Sequence, residues 1–226
     1  MTKKSVLNLA SLKDQVYEYI RLQMKVGKLK PGNSIDMNAF SQKLGVSKTP
    51  LRDALIRLEM EGFVRILPRK GVIVNELTVQ DIRDSYQILG ALESTAIIAA
   101  SPHLEAAAVK KMEKLNEGMR QALERDDFNV YYEKNLRFHD IFLTLSGNKQ
   151  LRDMADVLKK RLYDFPRQAG YVREWEDHSI QEHKELIRLI AEKEFLEAAN
   201  FIRDVHWSFA VQKKFVEKYY TGSPEE

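Results

Sequence analysis

Apolar residues fall at helical spacing in the first part of the chain and switch to strand spacing near residue 63. Val16, Tyr17, Ile20 and Met24 form an i, i+4, i+7 stripe, with Ser11 placed to cap the helix and Gly27 just past its end. Lys30-Pro31-Gly32-Asn33 signals a turn, followed by a short extended piece around Ile35. A second helix is predicted over Met37–Leu44, stopped by Gly45, which takes a left-handed C′ conformation at little cost. Ser47 then caps a third helix that tolerates Pro50 in its first turn, buries Leu51, Ala54, Leu55 and Leu58, and ends at Gly62. Residues 63–67 and 72–74 are β-rich runs joined by Pro68-Arg69-Lys70-Gly71, which predicts a hairpin with a basic tip.

Beyond Leu77 the pattern is helical only. Thr78 and Asp81 form a capping-box pair, with Asp in place of the usual Glu or Gln, for a helix through Ile82, Tyr86, Leu89, Leu92 and Ile97. Further helices are predicted at about Glu105–Glu124, Phe128–Leu145, Gln150–Phe165, Ile180–Lys193 and Phe195–Tyr220. Their breaks fall at Ser101-Pro102, Asp126-Asp127, Gly147-Asn148, Pro166 to Gly170, and a short step near Glu194; residues 221–226 read as a frayed tail. The expected fold is mainly α: a winged helix-turn-helix over residues 1–77, then an all-α antiparallel bundle of six or seven helices over residues 78–226.

Composition narrows the classes. No apolar run approaches the roughly 20 residues of a membrane-spanning helix, and the lysines near Met1 are not followed by an apolar signal segment. Cysteine is absent, which excludes thiolate metal sites and fits a cytoplasmic protein. Charge is unevenly spread. Up to Leu77 there are 14 Lys and Arg against 7 Asp and Glu, a balance of +7, whereas the rest of the chain carries −4. A basic head on an acidic body suits a protein that holds nucleic-acid phosphates at one end.

Two short helices joined at Gly45 make a helix-turn-helix pattern, whose second helix is sized for the major groove. Its leading side chains are Ser47, Lys48, Thr49 and Arg52, and Arg52 can set its guanidinium fork on a guanine or a phosphate. The tip, Arg69, Lys70 and Gly71, suits the minor groove or the backbone. For Lys48 and Arg52 taken alone a plain solvated face is the commoner reading; the basic tip and the segment's charge reverse the balance in favour of DNA.

These blocks carry a resemblance. Gly27 to Gly32, Leu44-Gly-Val-Ser-Lys-Thr-Pro-Leu-Arg-Asp-Ala-Leu55, Leu58-Glu-x-Glu-Gly-Phe-Val64 and Pro68 to Gly71 resemble the GntR family of bacterial regulators, and the helices after Thr78 resemble its FadR-type ligand-binding domain. The resemblance implies a homodimeric repressor on a short palindromic double-stranded operator, released or rearranged by a small-molecule metabolite. Lys48 stands where many members have Arg, which keeps the charge and loses the bidentate fork.

Three histidines sit on apolar stripes of separate helices: His139 with Phe142 and Leu143, His183 with Ile180, Leu186, Ile187 and Ile190, and His206 with Ile202 and Phe209. One such histidine is usually a hydrogen-bonded core residue; three on a bundle can converge on a metal with positions left open. The resemblance implies such a site, in which Asn135-Leu-Arg-Phe-His139 and Glu182-His183 match the family pattern and Asn135 replaces an Asp as a neutral oxygen ligand. His206 is one residue out of register against Ala198, an offset the step near Glu194 can absorb. The ion would be a divalent transition metal, since imidazole suits zinc, nickel or iron. Gly90 occupies the place of a family Arg that grips carboxylates, so it either makes room for a bulkier effector or lets helices pack closely; Arg161 is a second candidate anion partner. A metalloenzyme using the same trio is the rival reading, but no His-Glu-x-x-His or Glu-x-x-His is present.

Overall fold

The structure, a computed structural model, describes residues 11–164 and 172–218. The chain divides into two compact units: Met1–Leu77 with Lys159–Pro166, and Thr78–Leu158 with Arg167–Glu226. This differs from a single cut after Leu77 in the short stretch at the end of the seventh helix. The break expected from Pro166 to Gly170 and the tail at residues 221–226 lie outside the described residues.

In the first unit, α1 (Leu12–Lys25), α2 (Met37–Leu44) and α3 (Lys48–Met60) pack with strands β1 (Ser34–Ile35), β2 (Val64–Leu67) and β3 (Gly71–Val74). Ser11 caps α1 by accepting from the Asp14 amide, as the sequence predicts, and Asp36 does the same for α2 through Asn38 and Ala39. Gly45 closes α2 at φ 63°, a conformation that would strain a residue with a Cβ, and so lets α3 start three residues later, at Lys48. The sheet order is β1-β3-β2, all antiparallel, with Val64 opposite Val74 and Ile35 opposite Val72. Tyr17, Ile20, Met24, Leu51, Leu55, Leu58 and Phe63 are nearly wholly buried in one core with Ile35, Val72 and Val74. Each such side chain stabilises the fold by roughly 1.5–3 kcal/mol.

The second unit opens with α4 (Val79–Ala100), whose capping box is formed in both directions between Thr78 and Asp81. A 3₁₀ turn (Ser101–His103) leads into α5 (Ala106–Glu124), α6 (Phe128–Leu145) and α7 (Lys149–Asp164), then α8 (Arg173–Ala191), α9 (Phe195–Phe201), a π turn (Ile202–His206) and α10 (Phe209–Val216). Two expectations are corrected. α8 begins at Arg173, well before Ile180, because its first turns bury polar Glu176 and Ser179, which no apolar stripe can reveal. The single helix expected over Phe195–Tyr220 is broken by the π turn and by Trp207-Ser208. α4 packs on α6, α9 and the π turn, while α5 packs on α6 and α8. Ile82, Leu89, Ile97, Met112, Met119, Phe138, Phe142, Leu186 and Ile202 are buried. Among them lie buried Glu93, Asn116, Asn135, His139, Glu182, His183, His206 and Gln212. Polar groups are costly in an apolar interior unless hydrogen-bonded to one another.

Candidate functional site

The head presents its leading residues as a surface. Ser47, Lys48, Thr49 and Arg52 are all exposed at the start of α3, and the Ser47 hydroxyl makes no capping bond to the helix. The last basic residue of α3 is differently employed. Arg57 pairs with Glu61 at 3.0 Å and Asp14 at 3.4 Å, and its guanidinium lies 3.9 Å from the centre of the Tyr17 ring. Charge at the far end of α3 is therefore internally neutralised, whereas its beginning faces outward. Arg69, Lys70 and Gly71 are likewise exposed. The Lys70 amide donates to the Leu67 carbonyl at 3.1 Å, with Pro68 next and Arg69 at φ 63°. This is the pattern of a type II turn, whose third position favours glycine, so Arg is held there against a backbone preference.

In the helical unit, His139 on α6, His183 on α8 and His206 in the π turn come together. Their ring centroids are 5.3 Å (139–183), 5.0 Å (139–206) and 5.1 Å (183–206) apart. One nitrogen from each lies within 4.8 Å of the others, and all three residues are buried. Each Nδ1 has an outward partner. His139 meets Glu93 Oε2 at 2.8 Å, His206 meets Glu182 Oε2 at 2.7 Å, and His183 meets Asn116 Oδ1 at 3.3 Å. Asn116 donates its amide NH₂ to the Ile180 carbonyl at 3.1 Å. That fixes its oxygen toward His183, so His183 carries its proton on Nδ1. With the Nδ1 atoms engaged, the Nε2 atoms are those left for the centre. This is the outer arrangement by which carboxylates and amides orient metal-binding imidazoles.

The fit to a cation rests on His183. Its Nε2 is buried with no hydrogen-bond partner among the described residues, which is costly for an ordinary core histidine. Burial, then the neighbouring His206 and His139, push the His183 pKa well below the usual 6.5, so the ring is neutral with a lone pair to give. Burial raises the Glu182 carboxyl, but hydrogen bonds and charge from His206, His178 and Gln212 outweigh it and hold the group below its ordinary value. Asn135 is buried one turn before His139 on α6. Phe138 stacks on His183 with centroids 4.1 Å apart, giving the trio an apolar wall.

A π turn leads up to His206: the Trp207 amide bonds to the Ile202 carbonyl at 3.0 Å, five residues back. Gly90 is resolved in favour of close packing: a Cβ there would meet the Arg203 Cα and carbonyl oxygen and the Trp207 Cβ, each at 3.3 Å. Backbone of the π turn packs directly against this glycine. Arg161, half-buried on α7, falls in the stretch grouped with the first unit, apart from the unit that holds the trio.

Sequence reasoning missed the outer residues. Trp207 Nε1 donates to Glu93 Oε2 at 2.7 Å, Gln212 Nε2 donates to Glu182 Oε1 at 2.6 Å, and Trp175 Nε1 donates to Gln212 Oε1 at 3.0 Å. A legible signal existed: Glu93 interrupts the stripe Ile82, Tyr86, Leu89, Ile97, and Asn116 sits between Met112 and Met119. A polar residue on an apolar face needs a buried partner.

Residues 12–74 match the bacterial regulatory proteins of the gntR family, and residues 84–205 match the FCD domain. An uncharacterized HTH-type transcriptional regulator from the TAR-I ttuE-ttuC' intergenic region of Agrobacterium vitis is 33% identical over 134 residues, 58% of this chain and 78% of that protein. The HTH-type transcriptional repressor RspR of Escherichia coli is 24% identical over 160 residues, 70% of each chain. Among solved structures, McbR/YncC of E. coli superposes with a TM-score of 0.68 at 23% identity, covering 86% of this chain and 92% of that one, a likeness of fold.

Proposed function

Because the chain belongs to the gntR family of bacterial regulatory proteins, with an FCD domain, and is a DNA-binding transcription regulator rather than an enzyme, we propose that it is a repressor that binds a palindromic operator as a dimer and answers to a metabolite seated at a metal in its histidine trio. The observation that carries the sensing half is the convergence of three buried imidazoles whose Nδ1 atoms are all engaged outward. His139, His183 and His206 would hold the ion through Nε2, with Asn135 adding a neutral oxygen. A divalent zinc, nickel or iron ion would supply a Lewis acid for an anionic or carbonyl-bearing effector. Glu93 and Glu182 keep two rings in the ligating tautomer, Asn116 keeps the third, and Phe138 shields the centre from water.

In the reading half, Arg52 and Lys48 take base edges or phosphates and the Arg69-Lys70 tip takes the flanking backbone. An effector that favours one arrangement of the helical bundle lowers operator affinity by its own difference in affinity for the two arrangements. The repressor sign is supported by the name of the E. coli relative.

Operator selection tests this reading. Recovery from a random duplex pool should yield an inverted repeat occupied by two chains, as two-fold symmetry of the protein requires. An asymmetric site filled by one chain would overturn it.

A further inference from the structure

Of the residues that α10 buries, Gln212, Phe215 and Val216, only Gln212 is polar. Its side-chain amide is engaged at both ends. The oxygen accepts from Trp175 Nε1 at 3.0 Å, while the nitrogen donates to Glu182 Oε1 at 2.6 Å and lies 3.4 Å from the Val205 carbonyl. An indole N–H only donates, so Trp175 fixes which end of the amide is the oxygen and turns the NH₂ toward the carboxylate. Glu182 then divides its two oxygens. Oε1 receives Gln212, with His178 Nε2 at 3.1 Å, and Oε2 meets His206 Nδ1 at 2.7 Å. Glu182, His206 and Gln212 are all buried, and α8, the π turn and α10 supply the whole set. A continuous chain of hydrogen bonds thus runs from Trp175 through Gln212 and Glu182 to His206.

The same indole also holds α10 by its face. Phe215 packs with Val172 and Trp175, its ring parallel to the indole with centroids 6.0 Å apart. We propose that Gln212 is a positioning residue of the metal centre, oriented by Trp175, through which the seating of α10 on α8 sets the attitude of the ligand His206. The inference rests on the metal reading above and adds which side chains beyond the ligands and their direct partners govern the site. His206 turns its Nε2 to the centre while Glu182 holds its Nδ1. Without Gln212, Oε1 of Glu182 keeps only the half-exposed His178 and loses the buried donor that fixes its rotamer. Linkage makes the tie mutual: the factor by which a seated α10 strengthens cation binding is the factor by which cation binding strengthens the seating of α10. A Gln212 that merely filled space would support the fold equally with or without an ion.

Zinc affinity of the full chain, measured by competition with a chromophoric chelator, tests this. Gln212→Leu should weaken zinc binding about tenfold, the lower end of what a lost outer partner costs a metal site. It should also shift the visible absorption of cobalt(II)-loaded protein, which reads ligand geometry. Trp175→Phe keeps a ring against Phe215 and removes only the N–H. It should weaken zinc binding by a smaller factor, and add nothing in the Gln212→Leu background, because it acts through Gln212. Backbone hydrogen exchange gives the reciprocal reading: zinc should slow exchange across Phe209–Val216 in wild type and far less in Gln212→Leu. Wild-type protein that binds no zinc would remove the metal reading and this inference with it. If wild type binds zinc but both variants bind it equally well, or their losses add in the double variant, or zinc leaves exchange in α10 unaltered, the positioning role alone is overturned. Should Gln212→Leu fail to fold, the affinity of Trp175→Phe decides the question: wild-type affinity there overturns the role.

Discussion

Protein carrying His183→Ala and His206→Ala, purified without chelator, should hold almost no divalent metal, whereas wild type should hold about one ion per chain. The trio supplies one nitrogen from each of three helices, so losing two leaves His139 and the neutral Asn135, which cannot retain a transition ion against buffer. Stability should fall as well, because an ion bound only by the folded state stabilises by about 2.7 kcal/mol at a hundredfold excess over its dissociation constant. The same substitutions free Glu182 from His206, which alone destabilises. Chelation of wild type separates the two causes: it should reproduce the part of the loss due to the ion and leave Glu182 paired. Acid should act in the same direction. Burial holds the His183 pKa below its unfolded value, so its neutral, ligating form is fully favourable above pH 6.5, and stability declines as pH falls below that toward the folded pKa. Wild-type metal content in the double variant would dismiss the trio as the binding site.

Arg52→Ala should weaken operator binding by about 1–3 kcal/mol, roughly five- to more than hundredfold, and relax preference at one base pair. The size follows from exposure without an internal ion pair among the described residues, in contrast to Arg57, whose charge is spent on Glu61 and Asp14. Arg69→Ala and Lys70→Ala should act differently. Each should weaken all duplexes alike and lower the salt dependence by about one counterion, the behaviour of a phosphate contact. If Arg52→Ala kept both affinity and selectivity, base reading would lie elsewhere on the head.

Legibility in the sequence followed the physics of each element. α2 and α6 match their predicted bounds because they combine an apolar stripe with strong ends: Gly45 closes α2, and Asp127 caps α6 through the Val130 amide. The start of α8 was hidden because Arg173 to Ser179 holds mostly polar residues, and two of those it buries, Glu176 and Ser179, are polar. The π turn carries no glycine or proline that would mark it. The three imidazoles were readable from their stripes, but Trp207 and Gln212 were not, since hydrogen bonds between residues 114 or 30 positions apart leave no local pattern. Gly90 shows the limit of composition: its purpose became visible only with the Arg203 backbone against it.

The most direct measurement is the anisotropy of a labelled duplex titrated with wild-type protein over a salt series starting at low ionic strength. Tight binding whose logarithm falls linearly and steeply with the logarithm of salt concentration is the expected result, since cations on α3 and the β2–β3 turn displace condensed counterions. A protein that left every duplex unbound at low salt, or bound one with no salt dependence, would contradict the assignment of its basic head to DNA.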